Sequence, residues 1–111
     1  MDGDDRSRPD GLPLRVRVAG SSMEPTLLDG DRVVSRAGGR PVAPGDVVVA
    51  RRPDRPGLLV VKRVVRREPD GWWLEGDNPA ASDDSRVFGT VPDSLVLARV
   101  VARLWPRPRR L

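Results

Sequence analysis

The 111-residue chain has no cysteine, no histidine and no tyrosine, and it has one phenylalanine and one lysine. Each absence removes chemistry. Without cysteine there is no disulfide, no thiolate nucleophile and no zinc–thiolate site. Without histidine there is no Ser-His-Asp triad, no Cys-His dyad and no imidazole-ligated metal. Acid–base work falls to Asp, Glu, the one Lys, or an activated Ser or Thr. No apolar run approaches the ~18 residues of a membrane span. Aromatics make up 4% of the chain, too few among the arginines to form a stacking platform for single-stranded nucleic acid. The N-terminal "MDGDDRSRPD" lacks the basic start and apolar stretch of a signal peptide. The expectation is therefore a cytoplasmic protein, with peripheral membrane contact open and no nucleic-acid partner.

What is present is arginine, valine, glycine and proline. The chain carries 20 basic and 16 acidic residues, a formal charge of +4. Nineteen of the basic residues are arginine; the other is Lys62. The length fits one domain with a modest core. With 11 glycines and 12 prolines, many turns and short strands are expected. The organisation read from composition is a flexible arm over 1–12, a domain over 13–105 and a solvated basic tail over 106–111.

Alternating or β-branched segments predict strands at 14–19, 32–37, 46–52, 57–67, 72–76 and 94–105. The last also fits a helical face, but its valines favour a strand. Between them, "GSSMEPTLLDGD" (20–31) reads as a turn-rich connector and "DNPAASDDSR" (77–86) as a polar loop. The fold class is all-β.

Three stretches bear chemistry. In "LLVVKRVV" (58–65), Lys62 is surrounded by hydrocarbon. It is either a surface lysine whose stem covers apolar area or a desolvated amine with a lowered pKa, able to act as a base. Arginine cannot take that second role, because its guanidinium does not deprotonate. "GSSMEPTLLDGD" offers Ser21, Ser22 and Thr26, as turn residues or as a nucleophile on a Gly-led turn. The third stretch holds Asp77, Asp83 and Asp84, whose spacing does not fit a calcium loop. There Asp84 and Arg86 can pair, and Ser82 can orient an amine.

Together, "SMEPTL.DGD", "VVKRVV" and "GDNPAASDDSR.FG.V" resemble the type I signal peptidase family of Ser-Lys endopeptidases, in the family's order. The resemblance implies a compact signal-peptidase or SOS-repressor-protease-like fold of short, coiled antiparallel sheets without the family's large inserted domain. It implies Ser22 as nucleophile and Lys62 as general base, with no cofactor and no metal. Ser82 matches the loop serine that hydrogen-bonds the lysine, Asp84 and Arg86 a supporting ion pair, and Met23 and Pro25 residues that shape the turn. The Ser22 N–H would be one oxyanion donor. Gly20 stands where some members carry a second donor hydroxyl.

The short form and the terminal "WPRPRR" look most like the maturation proteases of nickel-type superoxide dismutase. That implies a precursor with an N-terminal leader as substrate. Three alternatives stand beside it. One is a signal peptidase acting at the membrane surface through apolar β edges and Trp72, Trp73 or Trp105. The others are a self-cleaving domain like those of SOS repressors and a non-catalytic basic binding module.

Overall fold

The computed structural model describes residues 13–111; the expected arm over 1–12 lies outside them. Among the described residues, seven strands form one antiparallel sheet: β1 (Pro13–Arg17), β2 (Arg32–Arg36), β3 (Val47–Arg52), β4 (Arg55–Glu68), β5 (Gly71–Glu75), β6 (Val96–Trp105) and β7 (Arg109–Arg110). Their order is β1-β2-β6-β3-β4-β5, with β7 on β6. The expected all-β class is the one observed.

Local sequence explains the hairpins. Pro53–Asp54 separates β3 from β4, and Pro69–Asp70 separates β4 from β5; proline and aspartate are turn formers. Gly71 follows at φ +155, and a Cβ there would meet the Val91 carbonyl oxygen at 2.1 Å. Only glycine admits that approach, which lets Trp72 and Val91 exchange backbone hydrogen bonds of 2.8 Å.

β3 is buried on both faces, and this decides how the core is laid out. Val47 and Val49 pack with Val18, Met23, Leu27, Val33 and Val100. Val48 and Ala50 pack with Val64, Leu74 and Val91 on the opposite side. Each fully buried valine or leucine contributes roughly 1.5–3 kcal/mol, so the central strand belongs to both clusters and couples them.

Three features add to or change the sequence expectations. The tail over 106–111 is exposed and also paired: Arg109 and Arg110 pair with Arg103 and Ala102, and the Leu111 N–H donates to Val101 O at 3.0 Å. Ala102 also pairs with Val34 of β2, so β7 takes the other edge of β6, which β3 leaves at Val96–Arg99. The loop over 77–86 contains a 3-10 turn, Pro79–Ala81, and the start of a short helix α1, Ser85–Phe88. The residues expected to start the last strand instead form a 3-10 turn, Asp93–Leu95.

Candidate active site

Ser22 stands on the connector between β1 and β2. Two buried residues anchor that connector: Met23 is 1% exposed and Leu27 is 0% exposed, both in the first core cluster. Polar bonds close its neck. Val18 N–H donates to Asp31 O at 2.8 Å and Gly30 N–H to Val18 O at 2.7 Å. Gly20, at φ +82, donates its N–H to Asp29 Oδ1 at 2.8 Å. The turn that carries the serine is thus held by its own sequence.

Lys62 comes from the middle of β4 and is 5% exposed. Its Nζ lies 2.8 Å from Ser22 Oγ, across 40 residues of sequence. As an ammonium it donates to that oxygen; as an amine it can accept the hydroxyl proton. Burial pushes the lysine pKa down, because a low dielectric disfavours the charged form. The Asp84 and Asp83 charges oppose this and Arg52 and Arg86 assist it, with burial the largest effect. Among the described residues no acceptor is found for the Ser22 N–H, which leaves it available as a donor.

The segment after β5 clamps the serine turn. Asn78 N–H donates to Ser22 O at 2.8 Å, and its side-chain amide donates to Ser21 O at 3.1 Å. Thr26 Oγ1 donates to Asp77 Oδ2 at 2.5 Å. Asp77 also accepts from Arg63 Nε and a terminal guanidinium nitrogen, both at 2.8 Å. Arg63 holds the Asp77 carboxyl below its ordinary value. Gly76 fills the tightest spot: a Cβ there would stand 2.3 Å from Ser82 Oγ and 2.5 Å from Ser22 O.

Asp84 is wholly buried. It accepts from Gly76 N–H at 2.9 Å, Ser82 Oγ at 2.7 Å and Arg86 at 2.9 and 2.6 Å. Burial alone would raise its pKa. The Arg86 guanidinium, the Ser82 hydroxyl and the backbone N–H groups outweigh it and hold the carboxyl far below its ordinary value. Asp84 also caps α1 by accepting from the Arg86 N–H at 3.1 Å, as short acceptor side chains do at helix starts.

The expected site residues are therefore brought together, with one difference. Ser82 donates to Asp84 and not to Lys62; the buried carboxylate with several donors around it is the stronger acceptor. Pro25 lies exposed on the turn beside buried Met23. Ser21 contributes its carbonyl and Thr26 its hydroxyl to the clamp. Asp77 and Asp84 are bound by Arg63 and Arg86, whereas Asp83 is exposed and 3.6 Å from Arg52. Gly76, Asn78 and Arg63 were not singled out from sequence. The one signal for them was their adjacency to the quoted motifs.

A cleft of about 400 Å³ runs to this site, lined by Arg15–Ala19, Ser22 and Leu59–Lys62. Among the described residues β1 pairs only with β2. The Leu59–Lys62 half of β4 pairs with β3, while β5 begins its pairing at Arg63. Among the described residues, two open strand edges thus border the cleft.

An antiparallel sheet carrying a serine–lysine contact, in a chain without histidine, fits the class of small all-β peptidases. The family model described as Peptidase S24-like matches residues 9–90, and the chain belongs to that family. It is 35% identical to mitochondrial inner membrane protease subunit 1 of Xenopus tropicalis, covering 82% of this chain and 68% of that protein. For the human subunit 1 the identity is 32%, over 82% of this chain and 69% of that one. For the Schizosaccharomyces pombe subunit 1 it is 36%, over 82% and 73%. These relatives overturn the expected cytoplasmic location, since they are named as inner membrane protease subunits. Among the described residues no helix is long and apolar enough to cross a membrane. That observation does not restore the cytoplasmic reading.

Proposed function

We propose that the chain is a Ser-Lys endopeptidase that removes a leader from a precursor protein at a membrane. The observation that carries this reading is the 2.8 Å contact between Ser22 Oγ and the buried Lys62 Nζ. Neutral Lys62 takes the Ser22 proton as Oγ attacks the scissile carbonyl. Lys62 then gives that proton to the leaving amine, and the peptide C–N bond breaks. Water hydrolyses the resulting ester, again with Lys62 as base, and Ser22 is restored. The Ser22 N–H stabilises the oxyanion. The substrate enters as an extended strand between the edges of β1 and Leu59–Lys62, taking backbone hydrogen bonds from both. Small residues, often alanine, are the expected side chains beside the cut, as the resemblance implies.

Leader cleavage at the membrane is better supported than maturation of nickel-type superoxide dismutase, because the relatives are named for membrane proteases. The relatives are subunits of a protease, so a second protease subunit is a candidate partner here. All three tryptophans lie under a guanidinium, Arg67 on Trp72, Arg66 on Trp73 and Arg32 on Trp105, at 5.0, 4.5 and 5.4 Å, but Trp72 and Trp73 are half-buried. Trp105 is 56% exposed beside exposed Leu104, so it is the one offered for interfacial contact.

The test is incubation with two precursors, one carrying a secretory leader and one of nickel superoxide dismutase, read by N-terminal sequencing. Cleavage of the first is expected. Ser22→Ala should abolish it, and Lys62→Ala should reduce it by roughly 10²–10⁴. Lys62→Arg should not restore it, since guanidinium stays charged. The rate should rise with pH along a limb below the ordinary lysine value of 10.5. Retained cutting in both Ala variants would sink the assignment.

A further inference from the structure

A second cationic pocket lies away from the serine, and nothing in the proposed reaction uses it. It is a cavity of about 240 Å³ lined by Arg36, Gly38–Val42 and Val96–Arg99. Arg36 of β2 and Arg99 of β6 are direct cross-strand partners. Like charges placed opposite each other across a ladder are destabilising. Arg99 Nε is also buried and has no hydrogen-bond partner, a state that costs a donor its full desolvation penalty. The nearby Asp46 carboxylate, which feels the Arg99 charge, is already engaged. Asp46 meets Arg40 with both oxygens, at 2.7 and 2.9 Å, and also accepts the Ala43 N–H at 2.9 Å. With both Asp46 oxygens held by Arg40, neither Arg36 nor Arg99 has an ion pair of its own among the described residues, and Arg99 shares only the field of the Asp46 carboxylate. Gly39, at φ +77, leaves the mouth open, with Arg36 Nε 4.0 Å from where a Cβ would stand.

We propose that this pocket binds a phosphate-bearing anion, either a free phosphate or the headgroup of an anionic phospholipid. Two arginines, Arg36 and Arg99, line it, and guanidinium recognises phosphate through paired N–H donors. An anion there offsets the Arg36–Arg99 repulsion. The Val42, Val96 and Leu97 wall suits the hydrocarbon beside an ester oxygen. Val48 pairs with Arg99 on one side and Lys62 on the other. The pocket is therefore about two strand spacings, roughly 10 Å, from the lysine. The proposal stands apart from the peptidase reading, and neither failure implies the other.

The test is thermal melting of the full chain titrated with inorganic phosphate at constant ionic strength, with chloride as control. A parallel arm uses flotation with phosphatidylglycerol or phosphatidylcholine vesicles. A saturable rise in Tm is expected, with at least a fivefold weaker response in Arg36→Gln and in Arg99→Gln. Arginine-dependent flotation with phosphatidylglycerol would assign the headgroup as source; a response to free phosphate alone would assign a small phosphate ester. Because an anion relieves an existing penalty, Arg99→Leu should melt no lower than wild type in phosphate-free buffer. A lower melting point there would mark Arg99 as structural and overturn the proposal. So would wild-type responses in both Gln variants, or no response in either arm.

Discussion

Lys62 is pulled in two directions by its surroundings. Burial disfavours its charge, while the Asp84 and Asp83 carboxylates favour it, and burial wins. The consequence for stability has a definite sign. Below its lowered folded pKa the lysine is protonated in both folded and unfolded states, and the folded state bears the full cost of the buried charge. Between that pKa and 10.5, the folded protein holds an amine while the unfolded chain still binds a proton, so stability rises with pH. Lys62→Met keeps the volume and removes the charge. It should raise the urea midpoint near pH 6, and the advantage should shrink as pH approaches about 10. A constant difference across that range would mean the lysine is not desolvated. The residue was legible in the sequence because it is the only lysine among arginines in an apolar run. Its two alternatives, snorkelling stem or buried amine, were separated only by the fold. Ser82 was legible as a member of the site but not in its partner: nothing in the sequence says that Asp84 would lie buried and claim its hydroxyl.

At the scale of elements, the strands were the legible part. Alternation in β1, β-branched runs in β2, β3, β4 and β6, and the turn before β5 located the strands within a few residues. The pattern cannot register β7, where two arginines pair through main chain alone. Nor does it show α1, four residues long and started by the Asp84 cap. The clamp formed by Gly76, Asp77 and Asn78 was equally hidden, since its bonds run to Ser21, Ser22 and Thr26, more than 50 residues away. Gly76→Ala tests that clamp. Its methyl group would displace Ser82 or the Ser22 carbonyl, moving the serine relative to Lys62. A stability loss of about 1–3 kcal/mol is expected from the overpacking. The loss of cleavage should exceed what this unfolding explains, because a displacement of 1 Å can cost on the order of 10²-fold in rate. If Gly76→Ala loses stability but cuts at the wild-type rate per folded molecule, the segment supports the fold and not the serine.

Across the whole molecule, the two core clusters share β3, so they should melt as one cooperative unit. Acid then acts on that unit through carboxylates held below their ordinary values. Asp84 and Asp77 are depressed chiefly by their arginine partners and other donors. Their side chains are 0% and 17% exposed. Asp93 and Asp54 are depressed too, but at 63% and 44% exposure their pairs are screened by water and weigh little. A carboxyl with a lowered folded pKa stabilises the protein above its unfolded value and loses that contribution as pH falls through the folded value. These carboxylates should therefore leave the urea midpoint unchanged near neutrality, where any tilt comes from Lys62, and make it fall below about pH 4. Asp84→Asn combined with Asp77→Asn should be less stable at pH 7, by about 3 kcal/mol for the hydrogen bonds weakened or lost. It should also fall less steeply in acid, because fewer protons are taken up on unfolding. Removing Asp93 and Asp54 together should leave the acid limb close to wild type. An equal flattening from the exposed pair would show that net surface charge, and not the buried clamp around Ser22, sets the acid stability of this fold.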